Sequence, residues 1–380
     1  MITKSYARLY LLILMPWVIL IKDLLYQLTG NDAWITNLGR VVSAISLVLI
    51  FLYLPSISFK FKRNQKFIFF FSLFCVSMNL ITLIFHRSMS DTISIYFFFL
   101  LILISMCSTD EWDFNEYINL LEKPLFVYLF LSIVIMFFGY GLELDYEGFL
   151  ANFPYRLNGL ATHANTLGFI SSIYVLIYFR TKKIKSVFAG IVCLLSQSKT
   201  ALIGLLVCLV FYFVYKNYKN KKSFIIFFVI FLALIMALIF VDNLFVNFDF
   251  TFTGRTALWN KGFNEWKKSF ESICFGAGED VLISGSNTIT RQLHNQFLNT
   301  LFGTGIVGLI FLLQFIIKII IESIQSLRID VLPFLLSLAF LIRSMSETPF
   351  FGMGLNMIGF AILTLFLCLK NVSDKETVIE

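Results

Sequence analysis

Long uninterrupted apolar runs are the feature that most constrains how this chain folds. Crossing the roughly 30 Å hydrocarbon layer of a bilayer takes about 20 apolar residues at 1.5 Å each. Runs near that length recur at Leu9–Leu28, Leu38–Leu54, Phe67–Phe85, Thr92–Cys107, Pro124–Tyr140, Asn165–Phe179, Ser186–Leu195, Ala201–Tyr215, Phe224–Val241, Phe297–Ile320, Val331–Ile342 and Phe350–Leu369. The chain is 58% hydrophobic and only 14% charged, against about 25% charged residues in soluble domains. The expected fold is all-α: a polytopic integral membrane protein of about 12 transmembrane helices, forming one domain over residues 1–380. The first run lacks a small-residue cleavage site after it and reads as an uncleaved span.

Basic residues orient the spans. Lys60, Lys62, Arg63 and Lys66 lie between the second and third runs. Arg180, Lys182, Lys183 and Lys185 precede the seventh, and Lys216, Lys219, Lys221 and Lys222 follow the eighth. With both termini cytoplasmic, all three clusters fall inside, as the positive-inside rule requires. The net charge of +7 therefore reflects topology, and no nucleic-acid partner is expected. The six cysteines are scattered through apolar runs without metal-ligand spacing and read as small buried hydrophobes.

The segment Ser196-Gln197-Ser198-Lys199-Thr200 interrupts an apolar stretch. A single helix through it would hold Lys199 mid-membrane at about 2.5–3.5 kcal/mol and put one basic cluster outside. A helical hairpin with an outward turn avoids both.

The longest polar interruption, residues 242–296 between spans 9 and 10, reads as a periplasmic loop insertion. Leu258, Gly262, Phe263, Trp266 and Phe270 recur at near-helical spacing, with Lys261, Glu265, Lys267 and Lys268 mainly opposite. This predicts an amphipathic helix with Trp259 and Trp266 suited to the membrane interface. A Gly276-Ala277-Gly278 turn follows, then His294-Asn295, then a span in which Gly303, Gly305 and Gly308 permit close backbone packing.

On the predicted outward side, His294 shares a face with Arg156, Lys199, Arg255 and Arg343. Outward cations are ordinarily snorkelling residues. Drawn from four distant parts of the chain, they also suit a phosphate or pyrophosphate pocket, with His294 as general base. No metal site and no Gly-x-Ser-x-Gly or Cys–His nucleophile pattern is present in the sequence, so the cations are expected to neutralise any leaving diphosphate.

Six pieces carry a resemblance: Arg156-Leu157-Asn158-Gly159-Leu160 with Thr162-His163-Ala164-Asn165; Ser196 to Ala201; Thr253-Gly254-Arg255 with Trp259; the Gly276–Gly278 turn; His294-Asn295; and Arg343 to Glu347. Together they resemble the O-antigen polymerase/O-antigen ligase (Wzy/WaaL-like) superfamily of bacterial envelope glycosyltransferases. The resemblance covers Arg156 to about Pro349, and the first 150 residues match only as apolar spans. It departs from the family at Lys199, where Arg is usual, and at Ala164, where Pro usually precedes Asn.

The resemblance implies metal-independent, cofactor-free transfer of a glycan from an undecaprenyl-pyrophosphate carrier to an acceptor hydroxyl at the periplasmic face of the bacterial inner membrane. It makes His294 the base and Arg255 the diphosphate contact, with Arg156, Lys199, Arg343, Asn295 and Glu347 binding substrate. The expected partners are the undecaprenyl-pyrophosphate-linked glycan, membrane lipid and a chain-length regulator protein. A polymerase, whose acceptor is another lipid-linked repeat unit, is the first expectation. A ligase acting on lipid A core is the alternative, and a lipid-linked oligosaccharide flippase is the alternative from another class.

Overall fold

The computed structural model describes residues 15–30, 114–144, 155–217, 255–277, 294–349 and 364–369, together with residues 41, 45, 48, 71, 81, 359, 361 and 362. These form α1 (Met15–Thr29), α2 (Phe114–Met136), β1 (Leu142–Leu144), β2 (Tyr155–Leu157), α3 (Ala164–Tyr178), α4 (Lys183–Leu195), α5 (Lys199–Asn217), α6 (Arg255–Trp266), α7 (Phe270–Phe275), α8 (Gln296–Ser326) and α9 (Leu332–Ser344). The protein is mostly helical. Three helices are long and apolar enough to cross a membrane (Asn115–Met136, Lys199–Asn217 and Gln296–Ser326), and α3 and α9 are shorter apolar helices. The predicted runs Leu38–Leu54, Phe67–Phe85, Thr92–Cys107 and Phe224–Val241 lie wholly or mostly outside the described residues.

Helix α3 is the centre of the bundle. It is apolar all round, and 13 of its 15 residues are buried, as expected of a helix enclosed by others. It packs against α2, α4, α5 and α9.

The stretch read as a hairpin is two helices. Helix α4 ends at Leu195 and α5 starts at Lys199, with Gln197 at φ 49°, a left-handed conformation uncommon for a side-chain-bearing residue. The turn nests against α3 at Gly168, where a Cβ would lie 2.5 Å from Ser196 Oγ. Lys199 is exposed rather than buried.

The described helices alternate in direction, which separates two ends of the bundle. At one end Lys185 pairs with Glu122 at 2.6 Å, Arg180 with Asp330 at 3.6 Å, and Tyr215 donates to the Leu327 carbonyl at 3.0 Å. The starts of α2, α4 and α9 and the ends of α3, α5 and α8 meet there. The basic residues Arg180, Lys182, Lys183, Lys185 and Lys216 therefore gather at one end, and the opposite end holds the start of α3, the α4–α5 turn, the start of α8 and the end of α9.

Two features depart from the sequence reading. The segment between α2 and α3 holds a small antiparallel sheet, with Glu143 opposite Arg156, in a chain expected to be all-α. The predicted first span also carries a buried ion pair, Lys22–Asp23 at 3.0 Å, with Tyr128 donating to Asp23 at 3.0 Å. Charge buried among apolar helices persists where it is paired and hydrogen-bonded.

Within the polar segment before α8, the aromatic face of α6 turns onto Phe302. Phe263 meets the Phe302 ring edge-on at 4.8 Å, Trp266 lies at 6.4 Å, and Trp259 joins the same cluster. Phe270, read as part of that stripe, begins α7 and is 81% exposed. The backbone of α7 lies directly on α8: Ala277 N–H donates to the Phe302 carbonyl at 2.7 Å, and a Cβ on Gly276 would sit 2.3 Å from the Gly303 carbonyl carbon. Gly305, at φ 68° and ψ −165°, kinks α8 against the Cys274 carbonyl. Close packing at these glycines is what the sequence suggested; the kink is additional.

Candidate active site

The site is built around the turn that ends α9. Arg343 is the last-turn cation of that helix, followed by Met345, Ser346 and Glu347. Three helix N-termini reach this turn. Asn165 of α3 donates through Nδ2 to Glu347 Oε1 at 2.7 Å. Ser346 Oγ donates to Thr200 Oγ1, in the first turn of α5, at 2.8 Å. Asn295, the N-cap of α8, donates through Nδ2 to the Met345 carbonyl at 2.9 Å.

His294 stands immediately before that cap, with φ 50° and its side chain 41% exposed. Its Nδ1 lies 3.2 Å from Glu347 Oε2. An ionised carboxylate can only accept, so this contact requires a proton on Nδ1, and in the neutral imidazole that leaves Nε2 with a free lone pair. A half-exposed imidazole with its second nitrogen oriented by a carboxylate is the arrangement a general base needs. The left-handed backbone at His294 costs about 1–3 kcal/mol, a strain that clusters at functional sites.

The four cations read together in the sequence occupy different settings. Arg343 is 5% exposed; it donates through Nη1 to the Asn165 carbonyl at 2.7 Å and stacks over the Phe169 ring at 4.6 Å. Arg156 donates through Nε to the Ser196 carbonyl at 3.1 Å and through Nη2 to Asn165 Oδ1 at 2.6 Å. Both arginines thus bond within the protein. Lys199 is exposed at the first residue of α5. Arg255 begins α6, which packs on α8; its side chain lies outside the described residues.

Arg156, Arg343, Glu347 and His294 are therefore joined in one network, with Lys199 one residue from the Ser346–Thr200 contact. Asn295 is adjacent but engaged by the fold: its Oδ1 accepts from Leu298 N–H at 3.0 Å, while Nδ2 holds Met345. Asn295→Ala is expected to remove a cap worth about 1 kcal/mol and that tie as well. A thermal melt of the purified protein should fall by about 2 °C or more; an unchanged Tm would show the cap to be dispensable.

Residues 184–313 match the model of a family, Wzy_C, described as O-Antigen ligase. The match covers about a third of the chain and supports the resemblance to the Wzy/WaaL-like O-antigen ligase superfamily. Comparison with curated proteins returns no match. The O-antigen ligase segment runs from α4 past the Gly305 kink, so it holds Lys199, Arg255, His294 and Asn295. Arg156, Asn165, Arg343 and Glu347 lie outside it, on β2, α3 and the turn after α9. The O-antigen ligase family is one of glycosyltransferase-like enzymes acting in surface glycan synthesis, with lipid-linked glycan substrates implied. Asn165 was legible only as part of the Thr162–Asn165 motif; its place as the junction between Arg156 and Glu347 depends on chain packing that no local pattern encodes.

Proposed function

We propose that this protein is a surface-polysaccharide polymerase. It transfers an undecaprenyl-pyrophosphate-linked glycan to a hydroxyl of another lipid-linked repeat unit at the periplasmic face of the bacterial inner membrane. The observation that carries this reading is the His294–Glu347 pair at the end of the bundle opposite the gathered basic residues. Under the positive-inside rule the basic end is cytoplasmic, which leaves His294 facing outward, where lipid-linked repeat units are assembled.

In this mechanism His294 Nε2 takes the proton of the acceptor hydroxyl as its oxygen attacks the anomeric carbon. The bond from that carbon to the pyrophosphate oxygen breaks, its electron pair leaves with undecaprenyl pyrophosphate, and the anomeric centre inverts. Glu347 stabilises the imidazolium that forms. Charge developing on the leaving group is met by Lys199 and Arg255, with Arg156 and Arg343 contributing fixed positive potential from behind Asn165. Three helix N-termini at the same end add their partial positive charge.

A ligase reading, with lipid A core as acceptor, is favoured by the description of the matched family. Glycan banding in a strain lacking this gene separates the two. The expected result is loss of the ladder with single repeat units still attached to lipid A core. Loss of all attached glycan, with long chains accumulating on the carrier lipid, would replace the polymerase by the ligase. A normal ladder on complementing that strain with either His294→Ala or Arg255→Ala would sink the catalytic reading and favour a transporter or scaffold.

A further inference from the structure

We infer that Asn165 is the positioning residue of this site, holding Glu347 in register so that Glu347 in turn fixes the His294 ring. The inference rests on the reading of His294 as the base, and it names a residue that the base's own helix does not supply.

Glu347 lies beyond the end of α9, outside any helix. The terminal torsion of a glutamate is broad, so one bond to His294 does not by itself fix which oxygen is presented or at what angle. The second oxygen, Oε1, receives Asn165 Nδ2 at 2.7 Å. That amide cannot be turned over: Arg156 only donates and an ionised Glu347 only accepts, so Oδ1 must face Arg156 and Nδ2 must face Glu347. Both ends of the side chain are thereby committed, at 2.6 and 2.7 Å. Asn165 is the second residue of α3, the most enclosed helix of the bundle, and its carbonyl is gripped by Arg343 at 2.7 Å. The neighbouring Ala164 N–H is held by Glu143 Oε2 at 3.2 Å.

A continuous line of hydrogen bonds then runs from the Ser196 carbonyl through Arg156, Asn165 and Glu347 to His294. It draws on five separate segments of the chain. The charged groups around Asn165 are Arg156 on β2, Arg343 on α9, Glu143 on β1 and Glu347 itself. A neutral amide is the linker that can bond to a cation on one side and an anion on the other without adding charge. The bland alternative, that Asn165 only caps or packs α3, leaves the state of the His294 ring independent of it.

Two readouts on the full-length protein in nanodiscs test this. The first needs no substrate: ¹⁵N-histidine NMR, with His294→Ala assigning the signal. In the wild type His294 is expected in the Nδ1–H tautomer. In Asn165→Ala, and in the isosteric Asn165→Asp, which keeps the Arg156 bond but sets a carboxylate against Glu347, the Nε2–H tautomer is expected to gain at its expense.

The second is transfer, using lipid-linked repeat units extracted from a strain lacking this gene. Asn165→Ala is expected to lower kcat about 10–100-fold, the usual effect of losing an orienting partner, with KM changed less than about twofold. In a Glu347→Ala background it is expected to cost nothing more. An unshifted tautomer in both variants, or losses that multiply in the double mutant, would overturn the inference while leaving His294 as base. Wild-type transfer that survives His294→Ala would overturn the catalytic reading instead, and the tautomer measurement would still decide the positioning role.

Discussion

His294→Ala is expected to lower glycan transfer by about 10²–10⁴-fold, the contribution typical of a positioned base, and to leave the fold in place. The side chain is 41% exposed, and its contact to Glu347 is one that an exposed group can lose without opening a core cavity. Its backbone sharpens the prediction. At φ 50° a side-chain-bearing residue is strained and glycine is not. His294→Gly should therefore abolish transfer equally while melting at or above the wild-type temperature. Inactive and stabilised is an outcome that damage to the fold cannot produce. Transfer assays and melts on the wild type and both variants decide it: activity within tenfold of wild type in either variant would remove His294 from the chemistry.

Gly276→Ala is expected to destabilise the protein by about 2–5 kcal/mol, combining a backbone conformation that side chains avoid with overpacking. Gly276 has φ 79° and ψ −174°, a region occupied essentially by glycine. An added Cβ would lie 2.3 Å from the Gly303 carbonyl carbon and 2.4 Å from Thr304 N. These are backbone atoms of α8, so no rotamer change relieves them. Helix α7 would have to lift from α8, breaking the Ala277–Phe302 bond, and α6 with Arg255 at its start would lose its seat. Transfer should fall together with Tm. Gly190→Ala is the control: nothing lies within 4 Å of its added Cβ, and alanine favours a helix. Equal melting of Gly276→Ala and wild type would show that α7 does not sit on α8 as described.

The elements around the site were legible where the sequence carried a physical conflict. Lys199 in an apolar stretch forced a break, and the break is at Ser196–Ser198. Clustered glycines announced a close approach, and α7 makes it on Gly303 and Gly305. What could not be read was direction. Arg343 was grouped with the other outward cations, and its guanidinium lies over the Phe169 ring; nothing in a one-dimensional pattern tells a last-turn arginine which way to point. Glu347 was read as a substrate contact, and its bond to His294, 53 residues away, has no local signature either. Trp259 and Trp266 have the amphipathic character of interface residues, and their packing against Phe302 could not be read from spacing alone. Lys22 and Asp23 passed unremarked near the end of an apolar run, since a pairing with Tyr128 across 105 residues has no local signature.

The Gly305 kink divides α8 into unequal parts. About 21 residues follow it, enough at 1.5 Å each to cross about 30 Å of hydrocarbon unaided. The nine residues from Gln296 to Thr304 are thus relieved of spanning anything. They form a short forearm beyond an elbow, with His294 at the wrist and α7 braced against the joint. A forearm of this kind can be re-angled by changes at its own packing face, around Phe302, without disturbing the membrane anchor behind it.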